Sequence, residues 1–465
     1  IEVAGPGFVN LFLSDAWYRR AMGALGGAGE RLGPAPSASP ERILVEFVSA
    51  NPTGPLHVGG GRHAAYGDAL VRLLGAVGHE VGREFYVNDA GGQVERFAHS
   101  IAARMRGVEV PEDGYEGAYV ADLAARLAAE GFDPVDTAAL GGRAVELVLE
   151  GVRETLDRLG VGFDTWFSER DLYQRGEVDA ALSELEANGH TYRSEGALWL
   201  RTTEFGDDKD RVLIRAGGEP TYLAADVAYH WDKLERGFQR LIDVLGADHH
   251  GYVPRLRAAI AALGADPEAF EALIMRLVHV VEGGERAQMS KRSGDFVSLD
   301  ELLDDIGPDA ARWFMLWRSH DTTVDLDLEL ARRESSENPV YYVQYAHARI
   351  ASILRKAGEE AERRAAEPGA ADSREPLQAA ERELIKRLLE FPGEVRESAA
   401  RRAPHRICSY AMAVAADFHA FYRDCQVVGA EGEGVEGSRL ALCLYTKRTI
   451  AASLGLLGIS APERM

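Results

Sequence analysis

Ile43-Leu44-Val45-Glu46-Phe47-Val48 runs into Ser49-Ala50-Asn51-Pro52-Thr53-Gly54-Pro55-Leu56-His57-Val58-Gly59-Gly60-Gly61-Arg62. The first part is short, apolar and β-branched, which predicts a strand over 43–48. Pro52 and Pro55 keep the residues before them out of the helical region, so 51–55 is an irregular loop. Three glycines follow, and then Leu70, Leu73, Leu74 and Val77 share one face at helical spacing. Gly78 ends that helix, a second strand reads at Val81 to Val87, and Asn88-Asp89-Ala90-Gly91-Gly92 turns the chain. Strand, loop, helix, strand is the opening of a parallel α/β domain. The predicted fold is an α/β parallel-sheet domain with a mostly helical insertion, followed by an all-α helix-bundle domain.

Working outward, Pro34 to Pro40 reads as a linker. Residues 1–40 are the tail of a further N-terminal domain plus that linker, with Ile1 to Leu13 as the tail. Residues 41–285 are the α/β domain, with the insertion around 97–200. Further strands read at Leu241 to Leu245 and Leu277 to Val281, each running into a glycine-bearing polar loop where such folds hold ligands. Residues 286–339 form a loop and connecting region. Residues 340–465 are helical, with Val343, Ala346, Ile350, Ile353 and Leu354 as one apolar stripe.

The 465 residues carry a net charge of −22. Residues 340–465 hold 18 Lys and Arg against 17 Asp and Glu, a balance of +1, which leaves −23 for residues 1–339. Phosphate seeks basic surfaces, so an RNA partner of this chain is held by local patches, not by overall charge. No apolar run is long enough for a membrane span, and no signal peptide is visible. Cys408, Cys425 and Cys443 form no CxxC pair, so no cysteine-built metal site is expected, and their small odd number fits a reducing cytoplasm.

Two loops carry the chemistry. Gly59, Gly60 and Gly61 let backbone approach a ligand and open a helix whose amides attract anions, with His57 beside them to meet a phosphate oxygen. Gln288-Met289-Ser290-Lys291-Arg292-Ser293-Gly294-Asp295 is polar, cationic and glycine-flanked, and can close over a polyphosphate with Lys291 as a point charge. Taken singly, the first is also a turn packing helix on sheet and the second a solvated basic loop.

Together, His57-Val58-Gly59 and Met289-Ser290-Lys291 resemble the "HIGH" and "KMSKS" signatures of class I aminoacyl-tRNA synthetases. Glu46 to His57 is similar to the arginyl-tRNA synthetase version of the first. Tyr86-Val87-Asn88-Asp89-Ala90-Gly91, Tyr222-Leu223-Ala224-Ala225-Asp226 and Gly246-Ala247-Asp248-His249-His250-Gly251-Tyr252 resemble later segments of that family. Tyr341 to Ile350 resembles the start of its anticodon-binding domain, and Leu457 to Met465 its ending. The resemblance spans 43–465 and implies that residues 41–285 are a Rossmann-type catalytic domain.

It implies activation of L-arginine with ATP and Mg²⁺, then transfer to tRNA(Arg), by a cytoplasmic monomer that touches no membrane. It implies ATP contacts at His57, Gly59, Gly60, Met289 and Lys291, with His57, Ser290 and Lys291 in catalysis. Glu46, Asn51, Tyr222, Asp226 and His249 would hold arginine, and Tyr342, Gln344, Tyr345 and Arg349 the tRNA. Physical chemistry points the same way: a guanidinium needs a planar two-oxygen acceptor, and Tyr222 and Asp226 share a helix face. The sequence departs from the family at Gly60, where the signature has His, which leaves that contact to the backbone amides of Gly60 and Gly61. Another class I synthetase and a non-catalytic RNA-binding paralogue are the competing readings. The first would need a cationic pocket for glutamate or a zinc site for cysteine.

Overall fold

The computed structural model of the chain describes residues 1–28, 32–286, 297–367, 369–370 and 373–465. They form two compact units, Ser37–Ala331 and a second made of Ile1–Pro36 with Arg332–Met465. The helical unit thus starts at Arg332, before the expected 340, and takes in the N-terminal segment.

Unit Ser37–Ala331 is built on five parallel strands: β1 (Arg42–Glu46), β2 (Glu80–Val87), β3 (Thr165–Ser168), β4 (Arg240–Gly246) and β5 (Phe270–Met275). Their order is β5-β4-β1-β2-β3. Helix α1 (Val58–Ala76) connects β1 to β2. From β1 the chain moves outward through β2 and β3, and from β4 it moves the other way to β5. That direction reverses between β1 and β4, the point at which open α/β sheets bind ligands beyond the carboxyl ends of their strands. Ile43, Leu44 and Val45 are buried, as a strand covered on both faces requires.

The insertion is less uniform than expected. Helices Gly92–Arg106, Ala118–Ala129 and Thr137–Arg158 lead into β3, and helices Glu169–Gln174 and Glu177–Ala187 follow it. A small antiparallel sheet, Thr191–Ser194, Ala197–Leu200 and Arg211–Ile214, then precedes helix α2 (Tyr222–Glu235). β6 (Val278–Glu282) pairs in parallel with β7 (Val324–Asp327), not with the main sheet. Between them α3 (Leu299–Leu316) begins at a capping box in which Ser298 and Glu301 satisfy each other's backbone amides.

The second unit holds α4 (Pro339–Ala357), α5 (Ala379–Ala400), α6 (His405–Asp424) and α7 (Val435–Leu456). The stripe Val343, Ala346, Ile350, Ile353 and Leu354 is buried, and the three cysteines are buried free thiols. Helix Asp15–Ala28 belongs to this unit, where Asp15 Oδ1 accepts from Arg382 Nε at 2.8 Å. No helix among the described residues is long and apolar enough to cross a membrane.

Candidate active site

β1 ends earlier than its apolar run. Val48 and Ser49 take φ of 69° and 39°, the left-handed region that a β-branched residue such as Val avoids. The bend is held from below. Ser49 Oγ donates to Glu46 Oε1 at 2.9 Å, and the Tyr86 amide donates to Ser49 Oγ at 3.1 Å. Beyond it, the Asn51 carbonyl accepts from Thr53 N–H at 2.8 Å, and the chain reaches His57.

His57 is the N-cap of α1. Its Nδ1 accepts from the Gly60 amide at 3.2 Å, so Nδ1 carries no proton and the ring proton sits on Nε2. A Cβ on Gly59 would lie 2.7 Å from the imidazole, so this ring position requires a glycine there. The Gly61 amide donates to the His57 carbonyl at 3.2 Å. These two bonds correct an expectation: the Gly60 and Gly61 amides are consumed by the cap and the first helical turn.

Residues 287–296 lie outside the described residues, and with them Met289, Ser290 and Lys291. The segment after them reaches the first loop. Ser298 forms an antiparallel bridge with His57, and Leu299 N–H donates to the Leu56 carbonyl at 2.8 Å.

Glu46 is expected to offer a second negative group for arginine. It is buried with its Oε2 2.6 Å from Lys233 Nζ, which also lies 3.0 Å from Asp243 Oδ1. Burial works against the Lys233 ammonium, but the Asp243 and Glu46 carboxylates outweigh it and raise its pKa. Glu46 is therefore paired with a cation inside the fold.

The second carboxylate beside Asp226 is Glu169, which sequence reasoning missed. Asp226 sits on α2 and accepts from the Tyr252 hydroxyl. Glu169 is buried at the start of the helix after β3. Burial, then the charges of Asp226 and Asp89, push its carboxyl up to about 7, against a hydrogen bond from Tyr86. With its amide turned to satisfy its neighbours, Asn88 also donates to Glu169 Oε2 at 2.8 Å. Burial likewise raises Asp226. Asp89 is matched by Arg170 at 2.9 Å. Among the described residues no salt bridge reaches Glu169 or Asp226; the charge of Asp226 acts on Glu169, and His230 and Lys233 act on Asp226 from further off. Tyr222, the first residue of α2, is 69% exposed. The only sequence signal for Glu169 is Ser168-Glu169, a helix-capping pair that reads as surface. His249 is half-exposed, 3.6 Å from Asp248.

In the helical unit, Tyr342, Tyr345 and Arg349 line a cavity of about 840 Å³ with Tyr341, His419 and Tyr422. The Arg349 guanidinium lies 4.7 Å from the Tyr345 ring centre. Gln344, expected beside them, turns inward: it is buried and donates to the Ser460 carbonyl at 3.0 Å. On a helix, residues one apart do not share a face.

Comparison with known proteins gives the same two-part division. Residues 29–107 and 142–329 match the model for the catalytic domain of class I tRNA synthetases (R), and 343–465 the DALR anticodon binding domain. The chain is 48% identical to an arginine–tRNA ligase of Desulforudis audaxviator, over 100% of this chain and 84% of that one. It belongs to the class I arginyl-tRNA synthetases. The arginine–tRNA ligase of Bacillus subtilis is 44% identical over 100% of this chain and 85% of its own length. Among solved structures, one described as a putative arginyl-tRNA synthetase from Campylobacter jejuni superimposes with a TM-score of 0.88 at 34% identity. It matches over 97% of this chain and 100% of that chain. The arginyl-tRNA synthetase of Thermus thermophilus gives 0.76 at 27% identity, over 96% of this chain and 86% of its own.

Proposed function

We propose that this synthetase activates L-arginine with ATP and transfers it to the 3′ end of tRNA(Arg), and that the carboxylates Glu169 and Asp226, neither held in a salt bridge among the described residues, are the guanidinium site. Two carboxylates with raised pKa values, Glu169 buried and Asp226 partly so, are costly until a cation arrives, and a guanidinium presents donors to both. Tyr86 and Tyr252 hold the two carboxylates in place, and Tyr222 closes over the ligand. Asn51, on the loop past the bent end of β1, fixes the α-amino or carboxylate end.

The arginine carboxylate oxygen attacks the α-phosphorus, the bond to the bridging oxygen breaks, and pyrophosphate leaves. A terminal ribose hydroxyl of tRNA then attacks the arginyl carbonyl carbon, and AMP leaves with the carboxyl oxygen it gained. The protein's part is positioning and charge stabilisation. His57 Nε2–H donates to the phosphates, and Ser290 and Lys291 act from the second loop beside Met289. Mg²⁺ accompanies ATP and neutralises its phosphates. The aromatic cavity of α4 and α6 takes a tRNA base by stacking, with Arg349 as a cation–π partner. The enzyme works as a cytoplasmic monomer.

ATP–pyrophosphate exchange with each amino acid, with and without tRNA, tests this. Exchange is expected with arginine. Exchange with glutamate in its place overturns the reading.

A further inference from the structure

Arg170 follows Glu169 directly in the chain, and its side chain ends in the group that the proposed site is meant to take, a guanidinium. A guanidinium close to two carboxylates without an ion-pair partner should join them. Arg170 does not. Its Nη2 lies 2.9 Å from Asp89 Oδ2, and among the described residues no ion pair joins it to Glu169 or Asp226.

Asp89 is placed to hold it. It stands just past β2, whose last residue, Val87, is paired with Ser168 at the end of β3. The two strand ends therefore bring Asn88 and Asp89 beside Ser168, Glu169 and Arg170. Asp89 Oδ1 accepts from the Arg170 amide at 3.0 Å, and Asp89 Oδ2 accepts from Ser168 Oγ at 2.8 Å. Both chain neighbours of Glu169 are thus tied to one carboxylate. The Asp89 side chain is 7% exposed and that of Arg170 49%, so the arginine is the partner with room to move. Asn88, one residue earlier, reaches Glu169 Oε2 at 2.8 Å, and the Asp89 charge acts on Glu169. A long side chain that meets one of two neighbouring carboxylates can reach the other by changing rotamer.

We propose that Asp89 holds the Arg170 guanidinium away from the Glu169–Asp226 site, so that the protein's own arginine does not occupy the place of the substrate. The inference rests on the guanidinium reading of that site. Asp89 is a positioning residue: it touches no substrate and acts through Arg170. A site that attracts a guanidinium attracts arginine side chains as well as free arginine. One tethered beside it competes at a high effective concentration, because it need not diffuse there.

The test is ATP–pyrophosphate exchange with arginine and tRNA. Asp89→Asn keeps an oxygen for the Arg170 amide and sets an NH₂ group against the Arg170 guanidinium, donor against donor. The backbone tie survives and the guanidinium is released. KM for arginine should rise about tenfold, as for a site open one tenth of the time, with kcat and KM for ATP nearly unchanged. Asp89→Asn combined with Arg170→Ala should bring KM for arginine back to the wild-type value or below it, because the competitor is gone. Arg170→Ala alone should leave it near wild type. If Asp89 merely steadied Glu169, KM would rise in Asp89→Asn and removing Arg170 would not restore it, so a double variant without recovery overturns the proposal. A wild-type KM in Asp89→Asn overturns it too. So does a strongly raised KM in Arg170→Ala, which would make Arg170 a substrate contact. Asp89→Ser, which also keeps an oxygen acceptor, takes the place of Asp89→Asn if that chain does not fold, with the same outcomes. Glu169→Gln in the same series separates this inference from the reading beneath it. An unchanged KM for arginine there removes the guanidinium site and this proposal with it. A raised KM there with a silent Asp89→Asn overturns this proposal alone.

Discussion

Lys233 Nζ stands 2.6 Å from Glu46 Oε2, so a fully buried cation on α2 holds the last residue of β1. Removing one partner of a buried pair leaves the other charge stranded, at a cost of about 3–5 kcal/mol. Lys233→Met should therefore lower the Tm of the catalytic unit markedly, because Glu46 and Asp243 would both lose their cation. Thermal unfolding checks this. Adding Glu46→Gln in the same chain should return part of the loss, and a fully additive double variant would contradict the pairing.

Glu169 sets a pH dependence. Its carboxyl titrates near 7 in the empty site, above its unfolded value, so it is largely protonated below that pH. A guanidinium needs it ionised. Arginine binding should then release a proton, and KM for arginine should fall as pH rises, by up to about tenfold per unit below 7, and level off above it. Without arginine the sign for stability is opposite. The folded state binds the extra proton, so the Glu169 contribution to stability declines as pH rises from the unfolded pKa through about 7. Glu169→Gln should remove the pH dependence and raise KM for arginine roughly 10–100-fold, the range for a lost hydrogen bond to a charged group. Exchange kinetics at a series of pH values measures both.

His57 has two separable duties. As N-cap it accepts from Gly60 N–H, and in the proposed reaction its Nε2–H donates to the phosphates. Asparagine is a good cap but places no ring donor at that distance. His57→Asn should leave Tm nearly unchanged and lower the exchange rate by about 10²–10³. His57→Ala should lose a comparable rate and about 1 kcal/mol of stability as well.

Tyr345 is expected to act on tRNA alone. Tyr345→Ala removes one wall of the aromatic cavity and should weaken tRNA binding by about 1–3 kcal/mol, the worth of one stacked base. KM for tRNA in aminoacylation should rise while KM for ATP stays level.

Much of this architecture is readable in the chain. β1, α1, β2 and β4 announce themselves by apolar runs punctuated by proline and glycine, and the observed elements fall within a few residues of those signals. β3 and β5 do not. Thr165-Trp166-Phe167-Ser168 is only four residues long between helices, and Phe270-Glu271-Ala272-Leu273-Ile274-Met275 mixes strand and helix formers without alternation. Leu277 to Val281 does read as a strand, but its pairing with β7 is a long-range choice that no local pattern states. The site divides similarly. Tyr222 and Asp226 are legible because helical spacing joins them. Glu169 is not, because its burial arises only when β3 docks beside β2. Lys233 opposite Glu46 is hidden for the same reason.

The strand order has a temporal side. β1 lies at the centre of the sheet, flanked by β2, which follows it closely, and by β4, which begins only at Arg240. At synthesis speeds of about 5–20 residues per second, roughly 10–40 s separate the emergence of β1 from that of β4. Through that interval one edge of β1 has no neighbour, and Ile43, Leu44 and Val45 lack half their cover. The proposed nucleotide site at the β1–β4 reversal does not exist until the late strand arrives. Binding of ATP therefore reports completion of the sheet, and the newborn chain is most prone to association while it waits for β4.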